Sequence, residues 1–149
     1  LVKIYDFYLA GPFFTEDQIM QQDFIEMLFQ LSEYKCFSPR KDAGTLPDNP
    51  SKKDMLDIFN KDLEAIKSCK TLFANVSYKD TGTSVEIGYA LSRDIPVVLF
   101  WDKFNNDTNH VNLMIALACG GKVIQDKAQL AHYIHTGELP DDNFEFKVD

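Results

Sequence analysis

Residues 71–101 read T-L-F-A-N-V-S-Y-K-D-T-G-T-S-V-E-I-G-Y-A-L-S-R-D-I-P-V-V-L-F-W. The two ends of this stretch, 71–76 and 96–101, are short apolar runs, the pattern of strands buried on both faces. Between them lies the loop S-Y-K-D-T-G-T, followed by a helical segment over 84–93 with Val85, Gly88 and Ala90-Leu91 expected inward. A strand, a helix and a second strand in this order place the two strands parallel in one sheet.

The same alternation extends in both directions. Upstream, I-Y-D-F-Y-L at 4–9 is a strand with one acidic interruption, ended by Gly11-Pro12. Ile19, Met20, Phe24, Met27, Leu28 and Leu31 then form an apolar stripe on a helix over 17–31. Residues 34–38 are a short strand closed by Pro39. From Pro39 to Pro50 the chain is all turn formers and charges, so an extended loop without an element is expected. Ser51 and Asp54 fit a capping box for a helix carrying Met55, Ile58, Phe59, Leu63 and Ile66. Downstream, the polar run D-K-F-N-N-D-T-N precedes a helix from His110 to Cys119, stopped by Gly120-Gly121. Lys122–Ile124 is a short strand, 127–135 a last helix, and a tail follows Gly137. The expectation is a single α/β domain over 1–149, a five-stranded parallel sheet with helices on both faces.

Composition narrows the function classes. At 149 residues the chain can bury roughly 68–70% of its extended surface. A formal charge of −8 and a pI near 4.8 repel phosphate backbones, which argues against a nucleic-acid polymer as partner. Cys36, Cys69 and Cys119 are scattered without C-x-x-C spacing and read as reduced thiols, which favours the cytoplasm. No apolar run reaches the ~18 residues of a membrane span, so no membrane partner is expected. The start at Leu1 fits a missing initiator methionine.

Open parallel sheets bind ligands beyond the carboxyl ends of their strands. That rule selects Ala10–Thr15, Ser77–Ser84 and Asp102–Asn109, and admits the 39–50 loop. Neither G-x-G-x-x-G nor a phosphate loop is present. In the first loop, Gly11-Pro12 reads as a tight turn and Phe13-Phe14 as core, although Phe7, Tyr8 and Phe13 lie where a flat base could stack. In the middle loop, Asp80 and Glu86 are six residues apart across a Gly-containing turn into a helix. Glu86 is expected in the first helical turn, where the helix dipole favours its ionised form. An ionised carboxylate there can attack an anomeric carbon, and an acidic residue there also simply stabilises a helix. One of Asp62 and Glu64 can face the same pocket. Asn109, His110 and Asn112 can reach a ligand or a partner chain, and Asn109 is equally a helix cap. His110, His132 and His135 show no metal spacing, and no metal is expected.

These motifs resemble the nucleoside 2-deoxyribosyltransferases. The resemblance is carried by F-Y-L-A-G-P-F-F at 7–14, F-N-K-D-L-E-A-I-K at 59–67, D-T-G-T-S-V-E-I-G-Y-A-L-S at 80–92 and V-N-L-M at 111–114. It implies a flavodoxin-like three-layer sandwich and a two-step sugar exchange without a cofactor. The partners implied are deoxynucleosides and free nucleobases. Glu86 is then the nucleophile at C1′ of the deoxyribose, and Asp80 helps bind and protonate the departing base. Asp62 contacts the base. Asn112, beside Met114 in the N-L-M segment, binds sugar hydroxyls, often from a neighbouring subunit, which implies a homo-oligomer with shared sites. The strand residue that contacts the nucleophile is Tyr8, or Phe7 if the loop is one residue shorter. Gly11 and Phe13 complete the expected substrate-binding set. Where relatives commonly carry an aspartate before the third strand, this chain has Cys69-Lys70. Two competing functions are a hydrolase with water as acceptor, whose 5′-phosphate versions need a basic cluster, and a receiver-like module without catalysis. Lys79 and Arg40 are the residues that bear on the first.

Overall fold

The computed structural model describes residues 2–141 and 147–149. Leu1, expected to follow a missing methionine, and part of the expected tail after Gly137 lie outside the described residues. The elements in chain order are β1 (Tyr5–Ala10), α1 (Glu16–Gln30), β2 (Cys36–Phe37), α2 (Pro39–Asp42), α3 (Lys52–Lys67), β3 (Cys69–Asn75), α4 (Thr81–Ser92), β4 (Val97–Phe100), β5 (His110–Val111), α5 (Leu113–Ala118), α6 (Lys127–Thr136) and β6 (Lys147–Val148).

Four parallel strands form the main sheet in the order β2-β1-β3-β4, and β5 pairs with β6 in a separate parallel ribbon. The central strands are apolar on both faces because helices cover both faces. Successive residues of β1 therefore serve different layers. Tyr8 and Ala10 join Ile66, Leu72, Ala74, Ile87 and Leu99 under α3 and α4. Phe7 and Leu9 join Ile25, Phe29, Phe73, Phe100 and Leu130 under α1 and α6.

Three expectations about the elements are corrected. The sheet has four strands, not five: Ile124 makes a single bridge to Phe100, although Ile124 N donates to Leu99 O and Trp101 N to Ile124 O. The left-handed pair Gly120-Gly121 delivers the chain to the β4 edge, and the Gln125 carbonyl then takes Lys103 N where the helix cap at Asp126 begins. The 39–50 segment is not structureless, because Pro39 starts the short α2. Residues 110–111 are strand, so the helix expected from His110 starts only at Leu113.

The inner face of α1 is Gln21, Gln22, Ile25, Glu26 and Phe29 rather than the apolar stripe, of which Met20, Met27 and Leu31 are exposed. Two of these polar residues face inward because they have partners: Gln21 bonds to Asn75 and Asn105. Glu26, 2% exposed, accepts hydrogen bonds from Ser38 Oγ at 2.5 Å and Arg40 Nη2 at 2.6 Å, and pairs with Lys41 Nζ at 3.0 Å. Asp23 pairs with the same Arg40. Both capping boxes, Thr15 with Gln18 and Ser51 with Asp54, start their helices as the residue types dictate.

Candidate active site

Three groups meet on the α3–α4 side of the sheet. β1 presents Tyr8, which is fully buried with its ring stacked on Phe37 at 5.6 Å. The Tyr8 hydroxyl donates a hydrogen bond to Glu86 Oε2. Asp62 on α3 lies close enough for its charge to act on both. Its Oδ1 is buried and has no hydrogen-bond partner among the described residues.

This arrangement sets the protonation of the acids. Burial pushes the Glu86 carboxyl up to about 7; the Tyr8 hydrogen bond opposes this, and the charges of Asp62 and Asp80 add to it. Burial likewise pushes Asp62 up to about 6, against the pull of Tyr8. The Tyr8 phenol is pushed far up, by burial first and then by Glu86 and Asp62, so it stays a donor. The expected dipole stabilisation of Glu86 is not what governs it. Thr81 is the first residue of α4, which puts Glu86 in the second turn, and the dipole effect fades within the first. Val85, Gly88 and Leu91, expected inward, are exposed, and the inner face is Thr83, Ile87 and Ala90.

Asp80 is the N-cap of α4: its Oδ2 accepts from Thr83 N at 2.8 Å and from Thr83 Oγ1 at 2.6 Å. It borders a cavity of about 590 Å³ together with Thr83, Ile87, His110, Asn112 and Met114. Asn112 caps α5 by accepting from Met114 N at 2.9 Å, and Met114 is 75% exposed. Glu86 does not line that cavity. One chain thus brings Tyr8, Asp62 and Glu86 together, with Asp80 near enough for its charge to act on Glu86, while Asp80, Asn112 and Met114 share the cavity.

The remaining candidates separate. Phe7 points into the opposite layer, against Phe29, Tyr34 and Tyr133, and does not join the site. Gly11 lies under Gln22: a Cβ there would meet Gln22 Oε1 at 2.5 Å and Asn75 Cβ at 3.1 Å. Phe13 is half-buried and stacks on Phe14 at 5.1 Å. Glu64 is an exposed partner of Lys67. Asn109 is not a cap but a left-handed residue with φ 56°. Arg40 is engaged by Glu26 and Asp23, whereas Lys79 is exposed beside Asp80. No group of three or more His, Cys, Asp or Glu among the described residues is arranged to hold a metal ion. No helix among them is long and apolar enough to cross a membrane.

The sequence reading missed the polar frame behind Asp80, formed by Gln21, Asn75, Ser77, Asn105 and Asp107. Its only signal is the density of Asn and Asp in 102–109.

A sequence profile described as nucleoside 2-deoxyribosyltransferase matches residues 7–131, most of the chain. The chain belongs to that family. Among solved structures, the chain is similar to the 2-deoxyribosyltransferase from the psychrotolerant bacterium Bacillus psychrosaccharolyticus. That match has 27% identity and a TM-score of 0.76, and covers 90% of this chain and 96% of the other. A conserved protein from Enterococcus faecalis V583 shares the fold at 21% identity and a TM-score of 0.72, over 93% and 99% of the two chains. The 2-desoxiribosyltransferase from Leishmania mexicana shares it at 16% identity and a TM-score of 0.60, over 89% and 98%. No curated protein matches. Family and structural neighbours indicate nucleoside 2-deoxyribosyltransferase activity.

Proposed function

We propose that this chain moves the 2-deoxyribosyl group between nucleobases by two displacements at C1′, with Glu86 as the nucleophile. The observation that carries this reading is the half-buried Glu86 carboxyl, oriented by Tyr8 beside Asp62. A carboxylate with little hydration and a fixed lone pair is a better nucleophile than an exposed one.

In the first step Glu86 bonds to C1′ as the N-glycosidic bond breaks, and the bond electrons leave with the base. Asp80, held through Oδ2, presents Oδ1 and supplies a proton to the base directly or through a water. In the second step a nitrogen of an incoming base attacks C1′ from the face the first base left. The ester bond breaks, Glu86 regains its charge, and Asp80 recovers a proton from the incoming base. Two inversions retain configuration.

Two further observations support details. Arg40 is committed to Glu26 and Asp23, which favours nucleosides over 5′-phosphates as substrates. Exposed apolar side chains lie on α3 (Met55, Leu56, Phe59), α4 (Val85, Leu91) and α5 (Leu113, Met114, Leu117). Such surfaces are commonly covered by a partner. Asn112 and Met114 line a cavity that Glu86 does not line, and Met114 is exposed, which fits a role for them in the site of a second copy.

The test is incubation with 2′-deoxyinosine, with and without adenine. Formation of 2′-deoxyadenosine that depends on adenine is the expected result. Hypoxanthine release at an unchanged rate without exchange would make the chain a hydrolase. No reaction across purine and pyrimidine deoxynucleosides would remove both readings. Intact mass should show a deoxyribosyl adduct that disappears in Glu86→Ala, and an adduct surviving in that variant would move the nucleophile elsewhere.

A further inference from the structure

The three residues before Asp80 are gripped by the segment that follows β4. Asp107 N donates to Ser77 O at 3.2 Å, and Asp107 Oδ1 accepts from Lys79 N at 3.3 Å, so one residue brackets both ends of 77–79. Tyr78 OH donates to Asn105 Oδ1 at 2.9 Å, and Asp102 N donates to Ser77 Oγ at 2.9 Å. The gripping segment is itself fixed from below. Gln21 Nε2 donates to Asn105 O at 3.1 Å, and Gln21 Oε1 accepts from Asn75 Nδ2 at 2.7 Å. Asn75 Oδ1 accepts from Ser77 N at 3.1 Å, which closes the circuit. Gln21 and Asn75 are buried, and so is Asp102.

We propose that residues 102–107 form a strap that positions Asp80, with Asp107 as its main positioning residue and Gln21 as its anchor in α1. The physical reason is leverage. The Lys79 amide that Asp107 holds belongs to the residue directly before Asp80, so releasing it lets the Asp80 backbone shift and carry its carboxyl with it, even though Thr83 N and Oγ1 still donate to Asp80 Oδ2. A misplacement of about 1 Å at a catalytic group can cost 10²-fold in rate. Asp107 touches neither Glu86 nor Tyr8 in the contacts described, so ester chemistry at C1′ is spared. This inference rests on the reading of Asp80 as the proton donor to the base.

The experiment compares leaving groups. 7-Methyl-2′-deoxyguanosine carries a cationic purine that departs neutral without a proton, whereas 2′-deoxyinosine needs one. For pyrimidines, 5-fluoro-2′-deoxyuridine against thymidine gives the same contrast more weakly. Single-turnover release of base is measured for wild type, Asp107→Ala, Asp107→Asn and Tyr78→Phe, with Asp80→Ala as the benchmark. Asp107→Ala should slow the proton-requiring substrate about 10- to 100-fold and the activated one less than about threefold, a weaker copy of the Asp80→Ala profile. Asp107→Asn keeps an Oδ1 acceptor and should recover most of the rate. Tyr78→Phe, which removes one hydroxyl and is the mildest change to the fold, should show the same selectivity at smaller size. Equal losses on both leaving groups, or no loss on either, would overturn the strap while leaving the transferase reading intact. A wild type that exchanges none of these bases would overturn both.

Discussion

The Tyr8 hydroxyl and the Glu86 carboxylate are joined by a hydrogen bond across 78 positions of sequence, one from a buried strand and one from a helix. The bond favours the ionised form of Glu86, while burial and the neighbouring carboxylates favour the neutral one. Glu86 is therefore balanced between opposing effects, and that balance is open to measurement.

The pH profile of kcat/KM should carry an acidic limb near 7, since the proposed mechanism needs Glu86 ionised and its carboxyl sits at about 7. Tyr8→Phe removes a group that lowers this value, so its limb should move to higher pH. Asp62→Asn removes a charge that raises it, so its limb should move to lower pH. A shift of either limb in the opposite direction contradicts the assignment.

Stability should show the same group from the other side. Folding raises Glu86 from 4.5 to about 7, so the folded chain holds more protons than the unfolded one between those values. Its contribution is then fully present below about pH 4.5 and is lost as pH rises through 7. Glu86→Gln should accordingly be inactive and more stable than wild type by about 1–3 kcal/mol at pH 8, with the gap closing towards pH 5. Thermal unfolding at the two pH values checks both sign and size.

Phe7→Ala should behave as a core lesion. Its ring is packed against Phe29, Tyr34 and Tyr133 on the face away from Glu86. A loss of about 3–5 kcal/mol in unfolding free energy is expected. Below its melting temperature the variant should keep the wild-type KM, and a selective rise in KM would place the ring at the substrate instead.

Arg40→Leu should also destabilise strongly. Burial opposes the charge on Glu26, yet hydrogen bonds from Arg40, Ser38 and Lys41 outweigh it and hold its carboxyl below the ordinary value. Losing Arg40 leaves a buried carboxylate with Lys41 and Ser38 alone, at a cost of about 3–5 kcal/mol. The double variant Glu26→Gln/Arg40→Leu should recover part of it in urea unfolding. The wild-type contribution is present above pH 4.5 and fades as pH falls, and the double variant should lack that fade.

The central strands were legible because their apolar runs match the two layers they pack in. Helices α3, α4 and α6 were legible as helices, but the inward faces of α3 and α4 were not, since Met55, Phe59, Val85, Gly88 and Leu91 are exposed. The inner face of α1 was not legible either, because Gln21 and Glu26 are turned inward by partners at Asn75, Asn105 and Arg40 that no periodicity encodes. β5 was hidden because its two residues pair with 147–148, a contact without a local signal. In the site, the Asp80–Glu86 spacing was visible by pattern. The partnership of Glu86 with Tyr8 was reached only through the family resemblance, since it spans two distant elements. The strap went unread because asparagines and aspartates after a strand look the same whether they cap a turn or hold the loop before Asp80.

The pairing of Phe7 with Thr71 and Tyr8 with Leu72 has one more outcome. A slip of β1 by a single residue against β3 would turn the phenyl ring towards Glu86 and bury the phenol among hydrocarbons. Sheet alignment in this protein is thus also a spelling of its chemistry. A chain paired out of step would lack the hydroxyl that orients Glu86, the proposed nucleophile, and on that proposal would be compact yet catalytically silent.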